Sequence, residues 1–157
     1  MIEALTLPGL AGGPWQIRPR SDPAALALAR RHYPRRRNTG GRTVGGVGRT
    51  LVLVSPCERA LWVTSYTLRP MDTLDAWRCT AFRNEGPALS SVLIVAAVEL
   101  TARTWGTAPP DGWVTYVDRT RVRSTNPGYC YLRAGWRRDP TYSPGHRQRH
   151  LIRLRYR

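Results

Sequence analysis

The residues best equipped for chemistry fall mostly in the second half of the chain. In "YVDRTRVRSTNPGYCYLRAGW" (116–136), Asp118 directly follows the strand-like "WVTYV". An acid at a strand's end beside a polar loop is placed to orient or deprotonate an amine. The same carboxylate can instead cap "RTRVRS" or pair with Arg119 or Arg121. Further on, Pro127 and Gly128 discourage a long helix, yet "YCYLRAGW" reads as a short one ending at a glycine. Tyr129 and Tyr131 stand two apart on it and point to different faces, one into the core and one toward a site. Spacing leaves open which is which.

Three further sets carry weight. Arg83 lies in a segment that reads as buried, so it needs an anion, either Glu85 or a phosphate or carboxylate on a ligand. His32 and Tyr33 offer an imidazole and a phenol side by side, both able to bind iron, although a histidine ending a helix also serves as a cap. In "HRQRH" (146–150) two histidines are spaced i, i+4 in a basic tail, where phosphate contact or solvation suits them better than metal. Trp77 and Trp105 are the tryptophans considered for stacking on an extruded base; as a class tryptophans go to the core.

Composition narrows the partner. All 25 basic residues are arginine and the formal charge is +15. A GC-rich genome would favour arginine codons, but so high a charge on 157 residues implies a polyanion, most simply nucleic acid. With no lysine, a Schiff-base mechanism is excluded. Three widely spaced cysteines (Cys57, Cys79, Cys130) fit neither a disulfide framework nor a zinc finger and suit a reducing cytoplasm. The longest apolar run, "VLIVAAV", is core-sized, so no membrane partner is expected.

The elements that must position these residues follow from periodicity. Residues 1–14 read as an N-terminal extension and 15–157 as one domain. "WQIRPR" is a short strand; Ser21 or Asp22 caps a helix that Pro34 ends near His32–Tyr33. The glycine- and arginine-rich stretch 34–48 reads as a flexible basic loop, in which Arg35, Arg36, Arg37 and Arg42 suit a nucleic-acid backbone. Strands are expected over 49–55, 61–69 and 76–84, as an antiparallel meander. A buried helix follows over 90–106, capped by Ser90 or Ser91 and closed by Gly106, then a strand over 112–118. The alternation in "HLIRLRYR" (150–157) makes a last strand with one basic face, on which Arg153 and Arg155 are read as DNA contacts. The order is strand, helix, three strands, helix, strand, short helix, two strands. It is an α/β layout with a mixed, mostly antiparallel sheet of about seven strands, made partly parallel by its strand–helix–strand crossover.

That order, with "YCYLRAGW" in its place, resembles the GNAT acyltransferase superfamily. The resemblance implies a sheet splayed at a cofactor site, with acetyl-CoA or another acyl donor in the gap. It also implies a helix with a polar head, supplied here by Ser124 or Asn126, then a tyrosine beside the coenzyme sulfur, with Gly135 and Trp136 at the expected offsets from Tyr131. The family's pyrophosphate loop falls at "FRNEGPALSS" (82–91), where only Arg83 and Gly86 match; helix-start amides with Ser90 and Ser91 would hold the anion.

"RRHYPRRR", "FRNEG" and 116–136 together are similar to phage-encoded Mom-like proteins, which add a carbamoylmethyl-type group to the exocyclic amine of adenine in DNA and so block restriction. Carried over residue by residue, the functional positions are His32–Tyr33 (with iron as the implied metal), Arg83, Asp118, and Tyr129 or Tyr131. The resemblance implies a bacterial host's cytoplasm, DNA as partner, base flipping and steep loss of binding with salt. A homodimer would let two basic faces grip one duplex. The competing expectations are a CoA-dependent N-acyltransferase and a nucleic-acid-binding module without chemistry.

Overall fold

In a computed structural model that describes residues 13–32, 41–68, 72–123 and 125–157, seven strands form a single sheet and three α-helices pack on it. The elements run β1 (Gln16–Arg18), α1 (Pro23–Arg31), β2 (Arg49–Val54), β3 (Ala60–Tyr66), β4 (Trp77–Asn84), α2 (Ser90–Trp105), β5 (Trp113–Asp118), α3 (Tyr129–Arg133), β6 (Arg137–Arg138) and β7 (Leu151–Tyr156). The sheet order is β1-β2-β3-β4-β5-β7-β6. Neighbours are antiparallel except β4 and β5, which α2 joins as a crossover and which run parallel. The expected mixed α/β sheet is therefore present. No helix among the described residues is long and apolar enough to cross a membrane.

The central strands are apolar on both faces because each face is covered by a helix. Along β2, Leu51 and Leu53 join the cluster under α2, whereas Val52 and Val54 join the cluster under α1. On β3, Trp62 is fully buried beneath α2 and is the hub of an aromatic layer, with edge-on contacts to Phe82, Trp113 and Trp136 at 5.7–6.4 Å. Its indole N–H donates to Thr64, whose hydroxyl lies 3.2 Å from that of Thr101 on α2, while the buried Trp136 indole N–H meets no acceptor among the described residues. Trp77 and Trp105 belong here too: Trp77 packs on Trp105 and Trp113, and the Arg49 guanidinium lies over the Trp105 ring. These rings are occupied within the fold, which removes them as base-stacking candidates.

Helix ends follow local chemistry, with one correction. Asp22 caps α1 through the Ala25 amide, and Pro23 fills the first turn. Helix α2 ends at Gly106, whose φ of 91° suits glycine. Its start is not capped by Ser90 or Ser91: Leu89 is the N-cap residue and supplies no side-chain bond. The Ser90 hydroxyl instead accepts from Asn84, which also donates to the Ala88 carbonyl and accepts from the Gly86 amide, so that one asparagine folds the β4–α2 connection. Residues 41–48, the described part of the basic loop, are better anchored than their glycines imply. Val44 is buried under α1 and exchanges hydrogen bonds with Arg20.

Candidate functional site

The site arises where β4 and β5 part. They pair at only three positions, from Trp77↔Trp113 to Cys79↔Thr115. Beyond that, β4 continues to Asn84 against β3, while β5 continues to Asp118 against β7. The cause is visible in the register of β3: Val63 faces Ala81 but Thr64 faces Cys79, so Thr80 is an extra residue. A bulge bends its strand and increases its twist, and this one turns β4 away immediately after its last pairing with β5. The Thr115 hydroxyl donates to the Cys79 carbonyl at 2.8 Å and closes the ladder at that point.

The gap holds a cavity of about 250 Å³. Residues 79–82 and Asn84 line one wall and Thr115, Tyr116 and Val117 the other. His32 reaches it from the end of α1, Ser90 from the start of α2, and Val122, Gly128, Cys130 and Tyr131 close it from the β5–α3 segment.

Tyr131 is fixed by the local sequence. Gly128 begins α3 with φ 80°, and a Cβ there would meet the Leu154 side chain at 2.8 Å, so glycine lets the helix start close against β7. At the other end, the Gly135 amide donates to the Leu132 carbonyl and the Trp136 amide to the Tyr131 carbonyl. This is the Schellman pattern, with Gly135 at φ 93° in the left-handed position. The apolar contact that accompanies it is Tyr131 on Trp136, ring centroids 5.3 Å apart. "YLRAGW" thus encodes both the stop of the helix and the seat of the tyrosine.

The buried hydroxyl of Tyr131 lies 3.4 Å from the Cys79 thiol. Burial pushes the phenol well above its ordinary range and, despite the Tyr131 and Thr115 hydrogen bonds, pushes the thiol up to about 12. Both groups are therefore neutral at physiological pH. Burial raises Cys130 in the same direction.

The candidate residues divide into those at the gap and those beside it. His32, Ser90 and Tyr131 line it. Tyr129 is 54% exposed and points elsewhere, which resolves the tyrosine alternative in geometry. Asp118 lies one residue past the lining. Burial works against its charge, but the Thr120 hydroxyl and amide, with His150 and Arg121, outweigh it and hold the carboxyl below its ordinary range. It folds the loop that brings Val122 to the cavity, the capping alternative.

Arg83 is taken by Glu85 and by the Arg31 carbonyl at the end of α1. Hydrogen bonds from Arg31 and Arg83 hold the Glu85 carboxyl down at about 2. Ser91 is half-buried outside the lining, and Asn126 is exposed and accepts from Arg138. Tyr33, Arg35, Arg36, Arg37 and Ser124 lie outside the described residues.

The basic face of β7 requires a correction. Asp139 pairs with both Arg153 and Arg155, whose side chains are only 11% and 17% exposed. Arg153 also lies over the Tyr142 ring, and Arg155 donates to the Asp111 carbonyl. The alternation was legible, but these guanidiniums hold the β6–β7 connection and are not offered to a partner. Arg42 is exposed.

Sequence reasoning did not single out Cys79, Thr80, Thr115 or Tyr116. Their places depend on the bulge and on the length of β4–β5 pairing, and nothing in their residue types announces either.

Among the described residues no three His, Cys, Asp or Glu side chains gather as a metal site. Of the two residues expected to hold iron, His32 lines the cavity and Tyr33 lies outside the described residues. Neither a family model, a curated protein nor a solved structure matches this chain.

Proposed function

We propose that the protein is a GNAT-like group-transfer enzyme acting on DNA, of the Mom-like type that modifies the exocyclic amine of adenine. The observation that carries this reading is the Tyr131 hydroxyl, buried and neutral, set at the point where the parallel strand pair β4 and β5 separates. The sheet order, the crossover helix and the short Gly-Trp-terminated helix support the same reading.

In this mechanism the amine nitrogen bonds to an activated carbon of the donor, and the bond from that carbon to its leaving group breaks. Adenine's amine is a weak nucleophile, so the donor carbon must be strongly activated. His32 lines the same cavity and takes the proton lost by the amine; Tyr131 supplies a proton to the leaving group. Ala81, Phe82 and Val117 give the cavity its apolar wall. Asp118 acts through the loop it folds and positions Val122. An adenine in a duplex must be flipped to reach such a cavity, at a cost of roughly a few kcal/mol, which phosphate contacts offset.

A CoA-dependent N-acyltransferase is the second reading. It is favoured by one observation: α2 begins beside the cavity with no side-chain cap, leaving its first amides available to a diphosphate.

Mass spectrometry of nucleosides from bacteria expressing the protein tests the first reading. A heavier deoxyadenosine absent from the empty-vector control is expected, and its mass identifies the group. An unmodified profile together with micromolar acetyl-CoA binding would move the assignment to the second reading.

A further inference from the structure

The arginines of this chain fall into two populations. Arg78, Arg153 and Arg155 are mostly buried and each is held by an aspartate. Other arginines are exposed, and several collect at the end of the sheet where the gap opens. The topology places them there. Strands β4 and β5 run parallel and separate toward Asn84 and Asp118, so the mouth lies at their C-terminal ends. Helix α1 also ends there, because Arg83 near the end of β4 bonds the Arg31 carbonyl. The segment preceding β7 is there as well, since Asp118 is registered with Leu151 and the Arg119 amide donates to the His150 carbonyl.

Two lining residues locate the lips. His32 is preceded by exposed Arg30 and Arg31. Val122 is flanked by exposed Arg121 and Arg123, with Arg119 in the same loop and Arg147 and Arg149 on the adjoining segment. Among the described residues, only Glu85, shared by Arg31 and Arg83, and Asp118, paired with Arg121, oppose this charge through ion pairs. Arg30, Arg119, Arg123, Arg147 and Arg149 join no ion pair among the described residues.

We infer that these two lips, rather than the β7 face, form the nucleic-acid interface, with the sugar–phosphate backbone crossing the mouth so that one nucleotide faces the cavity. The inference rests on the DNA-modification reading and assigns it an interaction surface. A backbone bridges two charged lips and still reaches the space between them. A flat anionic membrane would engage the tips of the lips and leave the cavity unused. Arginine's forked guanidinium makes bidentate phosphate contacts, and an exposed one without a carboxylate is free to do so. Binding should release about one counterion per contact.

The test is fluorescence anisotropy of a labelled 20-base-pair duplex (~20 chosen to span about two helical turns) across a salt series, using the full chain. Arg119→Gln/Arg123→Gln on the lip beside Val122 and Arg30→Gln/Arg149→Gln, which takes one arginine from each lip, are compared with Arg103→Gln/Arg157→Gln. The last pair removes the same charge from exposed arginines at the opposite end of the sheet. Each lip variant should lower the slope of log affinity against log salt by about 2 and weaken binding at least about tenfold near physiological salt. The control pair should leave the slope nearly unchanged. Arg119→Lys/Arg123→Lys should retain it, which separates lost charge from lost folding.

Equal losses for lip and control pairs would show that net charge alone is responsible and would overturn the interface. So would binding to phosphatidylserine vesicles without binding to DNA. If the lip variants lose DNA while the wild-type protein leaves no adduct on deoxyadenosine, the surface stands and the proposed chemistry fails.

Discussion

Strand β5 has two unlike neighbours. Against β7 it is paired at all six of its positions, from Trp113↔Tyr156 to Asp118↔Leu151, whereas against β4 it is paired at three. The six-position ladder is antiparallel and seals its inner face with Leu154 and Val117; the three-position ladder is parallel and ends at a bulge. The full ladder holds β5 in place while the short one lets β4 leave, so a gap opens without loosening either strand. The continuous ladder sits on one side of β5 and the cavity on the other, so regular elements hold the cavity walls in place.

Breaking the closed side should have the largest effect. Trp136 is 2% exposed, ends the α3 motif and packs on Tyr131, Trp113, Trp62 and Tyr156. Trp136→Ala should cost about 3–5 kcal/mol, read from denaturant midpoints. It should release Tyr131 from its seat as well.

Gly128 lies between the two sides. Gly128→Ala puts a Cβ against Leu154 at positive φ, and a loss of ~1–3 kcal/mol is expected. A neutral result would mean that α3 does not depend on its close approach to β7.

The smallest effect concerns acid. Burial opposes the charge of Asp139, but Thr141 and Arg153 outweigh it and hold the carboxyl at about 2, below its ordinary 3.8. A depressed carboxyl stabilises the fold fully above its unfolded value and loses that contribution as pH falls through the folded one. Unfolding followed from pH ~4 down to ~2 should therefore show an acid limb that Asp139→Asn flattens. An unchanged limb would place the acid sensitivity elsewhere, with Glu85 the next carboxylate to examine.

Most of the elements were legible because their signals are local. Proline and aspartate begin α1, glycine ends α2 and α3, an apolar run marks β2 and alternation marks β7. Three features were not. The bulge at Thr80 depends on pairing between two strands, and no residue type in "WRCTAFRN" encodes it. The arginine face of β7 was read correctly as a face and wrongly as a free one, because Asp139 reaches it from the β6–β7 segment. Ser90 looked like a helix cap, yet Asn84, six residues earlier, claims its hydroxyl. At the cavity, His32 was singled out from type and context and Tyr131 only as an alternative to Tyr129, whereas the cysteine and threonines around them became visible only once β4 and β5 were seen to part.

The central claim is that the separation of β4 and β5, with Tyr131 at its apex, is where the transfer occurs. The most direct measurement is the fraction of modified deoxyadenosine in DNA from cells expressing the wild-type protein, Tyr131→Phe and Tyr129→Phe at matched levels. The two substitutions remove the same atom two residues apart on one short helix, one at the gap and one in solvent. The account predicts modification by the wild type and by Tyr129→Phe, and a loss of roughly a hundredfold or more in Tyr131→Phe, the scale of a lost general acid. Equal modification by all three proteins would contradict it.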